Sequence, residues 1–468
     1  MNTVYYLNTD YKSYDMKIFL SFIIPFSLLI LAGQDAKSQS IPEQYITEAF
    51  ENNLVLKEKK ITLEKSLIAL QEARSVYLPT TSFEGQYTLA KGGRSIDIPV
   101  GDLVNPVYKT LNQLTNSNSF PPITNVSEQF NPNNFYDLRI RTSMPLFNAD
   151  LKINREIKQQ QITLRQTEVD VYKRELLRDL KIAYYNYILA GKAIDIYQNA
   201  LEVVQQNLKI NQSLLKNGKG LPAYVSRAES EVKSVESQLQ TARNDQQNAK
   251  AYFNFLLNKP LNDLVIENNI VLVEIQLPVS ETASDNIQNR EELKTLSLAK
   301  AINQDVLKMN RSYRIPRVNA FVDLAAQGFD FKVNNKSFFY LAGLQVQIPL
   351  YAGNRNNYKI QQTLLDQKAL DINTASTKQQ LQLAAQISRN NIITAYNKYL
   401  STMKQEEAAQ KYFKLIDRGF SEGVNSFIEF LDARNQLTNT SLQVNITKYR
   451  VLSALADFER QTASYVIK

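Results

Sequence analysis

The chain contains no cysteine and no histidine. Those absences remove disulfides, thiol nucleophiles, the usual zinc ligands and imidazole acid–base catalysis together. Glycine and proline are scarce, at 13 and 14 in 468 residues, which suits long uninterrupted helices better than a protein of many turns. No GxxxxGK[ST] phosphate loop is present, so any work done on a substrate must draw its energy from a partner. The adjacent acids Glu406–Glu407 and Glu291–Glu292 read as solvated helix faces rather than as a catalytic pair. No cofactor and no catalytic site is expected, and the chain is not read as an enzyme.

One apolar run stands near the start. Lys17 precedes Ile18 to Ala32, and Ala36-Lys37-Ser38 supplies small residues at a cleavage spacing. Residues 1–38 are therefore expected to be an export signal, with a second possible start at Met16. The run, interrupted by Pro25, is short for a membrane span. Removing 1–38 takes three bases and three acids, so the net charge of +8 is unchanged. Lys and Arg are interspersed with Glu and Asp along helix faces, which fits solvated surfaces better than a nucleic-acid footprint.

An internal repeat organises the rest. Asn217-Gly218-Lys219-Gly220-Leu221-Pro222 and Phe420-Ser421-Glu422-Gly423-Val424-Asn425 are glycine-marked turns, each between two long helical patterns. Setting Gly218 on Gly423 also sets Ala228 on Ala433. One residue off that register, Met144-Pro145-Leu146-Phe147 falls on Ile348-Pro349-Leu350-Tyr351. The expected units are a first repeat, 39–257, a linker, 258–285, with an apolar run from Ile270 to Ile275, and a second repeat, 286–468.

Within each repeat the period changes in the same order. A helix (41–77, then 286–314) precedes two strands of period two, which precede a long helix, a turn and another helix. In the first repeat Phe83, Gly85 and Tyr87 alternate with Glu84 and Gln86, and Leu138 and Ile140 alternate with Arg139 and Arg141. Between these strands, 91–134 reads as a long irregular loop rich in Asn, Pro and Ser, of the kind that tends to be functional. In the second repeat the strands cover about 317–330 and 338–348. Leu180, Tyr187, Ile194, Leu201, Leu208 and Leu215 recur every seventh residue, a coiled-coil seam. Phe430, Leu437, Val444, Val451 and Phe458 do the same in the last helix.

Strands with one apolar and one polar face and of this length suit a membrane-spanning barrel. Four strands cannot close a barrel, and open edges are not tolerated in lipid. Three chains pooling their strands would supply twelve and leave room for a lumen.

The duplicated element order, the run Gly423-(x)5-Glu429-Phe430-Leu431-Asp432-Ala433 and the Pro-Leu-Phe/Tyr step from strand to helix resemble the TolC-type outer-membrane efflux proteins over about residues 41–466. The resemblance implies a mainly α fold with transmembrane β. It implies a homotrimer with a 12-stranded β-barrel in outer-membrane lipid and a long periplasmic α-helical barrel. It also implies that the turns at Gly218, Gly220 and Gly423 form periplasmic tips that dock an adaptor protein, itself joined to an inner-membrane pump. The function implied is a passive duct for small molecules or polypeptides in tripartite efflux or type I secretion. The competing class is an exported coiled-coil spacer or the adaptor itself, for which paired two-faced strands in both repeats have no use.

The resemblance also implies an acidic ring at the aperture, and by position its residues are Glu429 and Asp432. Three apart, they share one helical face, and three copies around a narrow pore would select cations. Acids in the first turns of a helix also simply favour its dipole. The chain departs from the family's pattern at two tip positions, where it has Tyr224 and Asn425 in place of an acid and a base. Tyr224, Arg227, Phe420 and Arg434 are the candidates for contacts that hold the aperture instead.

Overall fold

The computed structural model describes residues 41–267 and 287–465. The expected signal, 1–38, and the Ile270–Ile275 run lie outside the described residues.

The first helical stretch is two helices, α1 (Glu43–Asn52) and α2 (Leu54–Ser75), where the sequence pattern suggested one. Asn53 leaves the helical region with ψ 125°. Its side chain accepts from the Leu56 amide at 3.1 Å and donates to the Leu256 carbonyl at 3.0 Å. One amide thus caps α2 and pins the break to the far end of the first repeat.

β1 (Thr80–Thr88), β4 (Phe135–Phe147), β5 (Arg317–Phe329) and β6 (Phe338–Gln347) form one antiparallel sheet in the order β1-β4-β5-β6. Strands from both repeats therefore meet at β4–β5, and β1 and β6 are the sheet's edges. Phe83, Leu138, Ile140, Leu324, Tyr340 and Leu344 make an exposed apolar face. Glu84, Arg139, Arg141, Asp323 and Gln345 lie on the other. On that polar face Arg141 holds Asp323 through two bonds of 2.8 and 2.7 Å and lies 5.3 Å over the Phe321 ring. Phe321 faces Gly343, and on the opposite face Tyr136 faces Gly328. A Cβ on either glycine would come within 3 Å of the ring opposite; the bare backbone is what lets each aromatic side chain lie across the sheet.

The stretch expected to be irregular is not. It contains β2 (Ser95–Ile98) paired with β3 (Val126–Gln129), and between them α3 (Val100–Thr115). Pro106 inside the helix and Gly101 in its first turn hide it from propensity. Side-chain clamps described below hold it in place.

The long helices follow the heptads. α4 (Ala149–Lys216), of 68 residues, runs about 100 Å and pairs with α5 (Pro222–Leu256). α6 (Glu291–Arg311) leads through a short 3-10 turn to the second strand pair. α7 (Arg355–Ser421) pairs with α8 (Phe427–Thr462). Leu180, Tyr187 and Leu201 of the expected seam are buried. The largest core cluster joins α1, α4, α5 and α8 around Tyr45, Tyr184, Phe253 and Tyr449. Beside it, Glu291 and Glu292 are not the solvated acids expected. Arg174 holds Glu291 at 2.6 Å, and Arg290 and Arg460 each reach Glu292 at 2.7 Å. Arg290 also caps the end of α8 through the carbonyls of Arg460 and Gln461. Sequence neighbours could not supply that reason, because every partner but Arg290 comes from a distant helix.

Apolar side chains at heptad spacing stay uncovered on the outer helices: Leu54, Ile61 and Ile68 on α2, Leu365 and Ile372 on α7.

Candidate functional site

The two hairpin tips end their rods in the same way. After α4, Gly218 turns at φ +69°; its amide donates to the Leu215 carbonyl at 3.0 Å and that of Lys219 to Leu214 at 2.9 Å. After α7, Gly423 turns at φ +80°, with Gly423 donating to Phe420 at 3.1 Å and Val424 to Gly419 at 2.7 Å. Both are Schellman motifs, which need a left-handed residue just past the helix. Gly220 serves differently, since a Cβ there would lie 2.8 Å from the Leu215 amide nitrogen.

Pro222 opens α5 and Ser426 caps α8. The Ser426 hydroxyl accepts from the Glu429 amide at 3.2 Å, and the Glu429 carboxylate accepts from the Ser426 amide at 2.7 Å. This reciprocal capping box satisfies two orphan donors of the helix start. The Ser426 amide, its hydroxyl and Asn425 together hold the Glu429 carboxyl below its usual range. Asp432 lies one turn on, and both acids are exposed. Both remain open to solvent even though Glu429 also serves as a cap.

Arg227 and Arg434 do not reach those acids in the protomer. Both converge on Glu231, Arg227 at 2.8 Å and Arg434 at 2.9 Å. Arg434 is buried with 4% of its side chain exposed, and burial lowers its guanidinium pKa against the pull of Glu231. Its Nε has no hydrogen-bond partner among the described residues. The Arg434–Glu231 pair ties α8 to α5, that is, the second hairpin to the first. Nothing in the sequence marked Glu231.

Tyr224 and Phe420 enter an aromatic cluster between the same hairpins. Tyr224 lies 5.5 Å from Phe427, while Phe430 lies 5.0 Å from Phe420 and 5.7 Å from Phe413, measured between ring centres. Ala228 and Leu431 complete its buried part. The tips thus combine an apolar contact, one buried ion pair and two solvent-facing acids. Among the described residues no cluster of His, Cys, Asp or Glu could hold a metal ion, and no helix is long and apolar enough to cross a membrane.

Residues 282–462 match the family model described as outer membrane efflux protein. No curated protein sequence matches the chain. Among solved structures, the Campylobacter jejuni CmeC outer membrane channel aligns with a TM-score of 0.71 at 15% identity, covering 96% of this chain and 94% of that one. The outer membrane protein VceC of Vibrio cholerae aligns at 0.70 with 13% identity, covering 90% and 95%. The Neisseria gonorrhoeae MtrE outer membrane channel aligns at 0.69 with 15% identity, covering 90% and 88%. At such identities the likeness is one of fold.

Proposed function

We propose that the protein is a passive trimeric export duct of the TolC type, a reading supported by the match of residues 282–462 to the outer membrane efflux protein family model and by the fold shared with solved outer-membrane channels. The observation that carries the proposal is the sheet. Its edges β1 and β6 have no partner strand among the described residues, and one whole face is apolar and exposed. Lipid accepts such a face but not such edges. Three copies joined β6 to β1 make twelve strands, with the Arg139, Arg141 and Asp323 face lining the lumen. The uncovered heptads of α2 and α7 support the same assembly, since protomers packed side by side would cover them.

The barrel lies in the outer membrane, and the helices form a tube in the periplasm. Both connections between strands, 89–134 and 330–337, leave the sheet at the end away from the helices and face outward. The first repeat is 39–257 and the second 286–468, with 258–285 the linker between them. The tips at Gly218, Gly220 and Gly423 meet a periplasmic adaptor, and an inner-membrane pump supplies the energy. Cargo is small molecules or polypeptides. At the aperture three copies of Glu429 and Asp432 form an acidic ring, while the aromatic cluster and the Arg434–Glu231 pair hold each protomer's hairpins together.

Planar-bilayer recording of the detergent-purified protein beside Glu429→Ala/Asp432→Ala tests the reading. Small, cation-selective conductance that grows and loses selectivity in the double variant is expected. Channels indifferent to the substitutions would discard the acidic ring, and a protein soluble without detergent would sink the membrane assignment.

A further inference from the structure

The α3 helix is strapped down on one side and bare on the other. Along its strapped side Gly101 packs on the Ile123 carbonyl, where a Cβ would lie 2.4 Å from the oxygen. One turn on, Asn105 clamps Ile123 from both sides, donating to its carbonyl at 2.9 Å and accepting from its amide at 2.8 Å. Two turns further, Asn112 does the same to Phe120 at 2.8 and 3.1 Å. Tyr108, on the same side, packs its ring 5.6 Å from Phe120.

The opposite side carries Leu103, Val107, Thr110 and Leu114. The three hydrophobic residues are 70%, 55% and 77% exposed. At 100° per residue these four positions fall within an arc of about 60°. Their 4-3-4 spacing is that of a coiled-coil seam, and half-buried Val104 and Leu111 border it on one flank. A helix lying in a membrane surface would show a broad apolar face flanked by several Lys or Arg. α3 has one basic residue, Lys109, offset by the acid Asp102 on the same flank, so the basic border that an anionic membrane surface attracts is missing. The spacing asks for another helix.

We propose that the α3 seams of three protomers pack against one another, forming a short helical cap at the external mouth of the duct. The proposal rests on the trimeric reading, which brings three copies of the 89–134 connection to one rim. A helix of 16 residues pairs weakly alone, but tethering at a common rim raises its effective concentration. The side-chain straps fix the orientation of each seam before it meets its partners.

A chain without cysteine lets single-cysteine variants report one position at a time. Leu103→Cys, Val107→Cys and Leu114→Cys would be compared with Lys109→Cys, which lies off the seam. Each full-length protein is extracted in detergent, weighed by light scattering, oxidised with copper phenanthroline and run on a denaturing non-reducing gel. A trimeric mass with cross-linked dimer at the three seam positions, several-fold above Lys109→Cys, is expected. A trimer without that excess overturns the cap and leaves the duct standing. A single-copy particle overturns both. An environment-sensitive fluorophore on Leu114→Cys that shifts to the blue only on transfer into lipid vesicles would give the stripe to lipid and overturn the cap.

Discussion

Removing the Glu231 carboxylate should loosen the periplasmic tips. Arg434 has 4% of its side chain exposed and Glu231 13%, so Glu231→Ala leaves a guanidinium almost dry and without the carboxylate that it pairs with. Breaking a fully buried pair costs about 3–5 kcal/mol, and a single hydrogen bond to a charged group contributes about 1.5–3. The pair is not fully dry and water can enter the space that the carboxylate leaves, which places the expected loss near ~2 kcal/mol. If opening parts the two hairpins, the joined state loses about 30-fold in relative population. Open probability in planar bilayers reads that change, and hydrogen exchange at residues 224–231 and 427–434 reads it independently of gating. Arg434→Met/Glu231→Met removes both charges and keeps volume, so it should recover much of the loss. Unchanged opening and unchanged exchange in Glu231→Ala would refute the idea that this pair joins the hairpins.

Three further outcomes follow from the geometry. Gly423→Ala places a side chain at φ +80° and should cost about 1–2 kcal/mol, seen as faster exchange at the second tip, whereas Gly423→Asn should cost less. Burial works to raise the Glu292 carboxyl, but Arg290 and Arg460 outweigh it and hold it at about 2, below the ordinary 4.5. Its contribution, ~3 kcal/mol, is present above about pH 4.5 and is lost as pH falls towards 2, so Glu292→Gln should flatten the acid limb of a stability–pH curve measured in detergent. Gly328→Val would set a side chain against the Tyr136 ring, 2.8 Å from its hydroxyl at the first carbon, and should reduce assembled trimer on mild-detergent gels without changing helix content.

The rods, both tip turns and all four long strands were legible because each depends on a local period or on a glycine at one left-handed position. Ser426-x-x-Glu429 is likewise a capping-box pattern readable in the chain. The α3 helix was not legible. Pro106 and Gly101 lower its propensity, and Asn105 and Asn112 act through carbonyls and amides at Ile123 and Phe120 that no helical period announces. The break at Asn53 depends on Leu256, from the other end of the repeat. Glu231 and Glu292 look like ordinary surface acids until distant helices deliver Arg434 and Arg460. Period and turn chemistry are written along the chain, while paired charges between helices are written only in the packing.

The mass of the particle extracted from membranes tests the central claim most directly. Three copies of the chain per particle, obtained only with detergent, is the result the open four-stranded sheet requires. A single-copy particle released by buffer alone would contradict it.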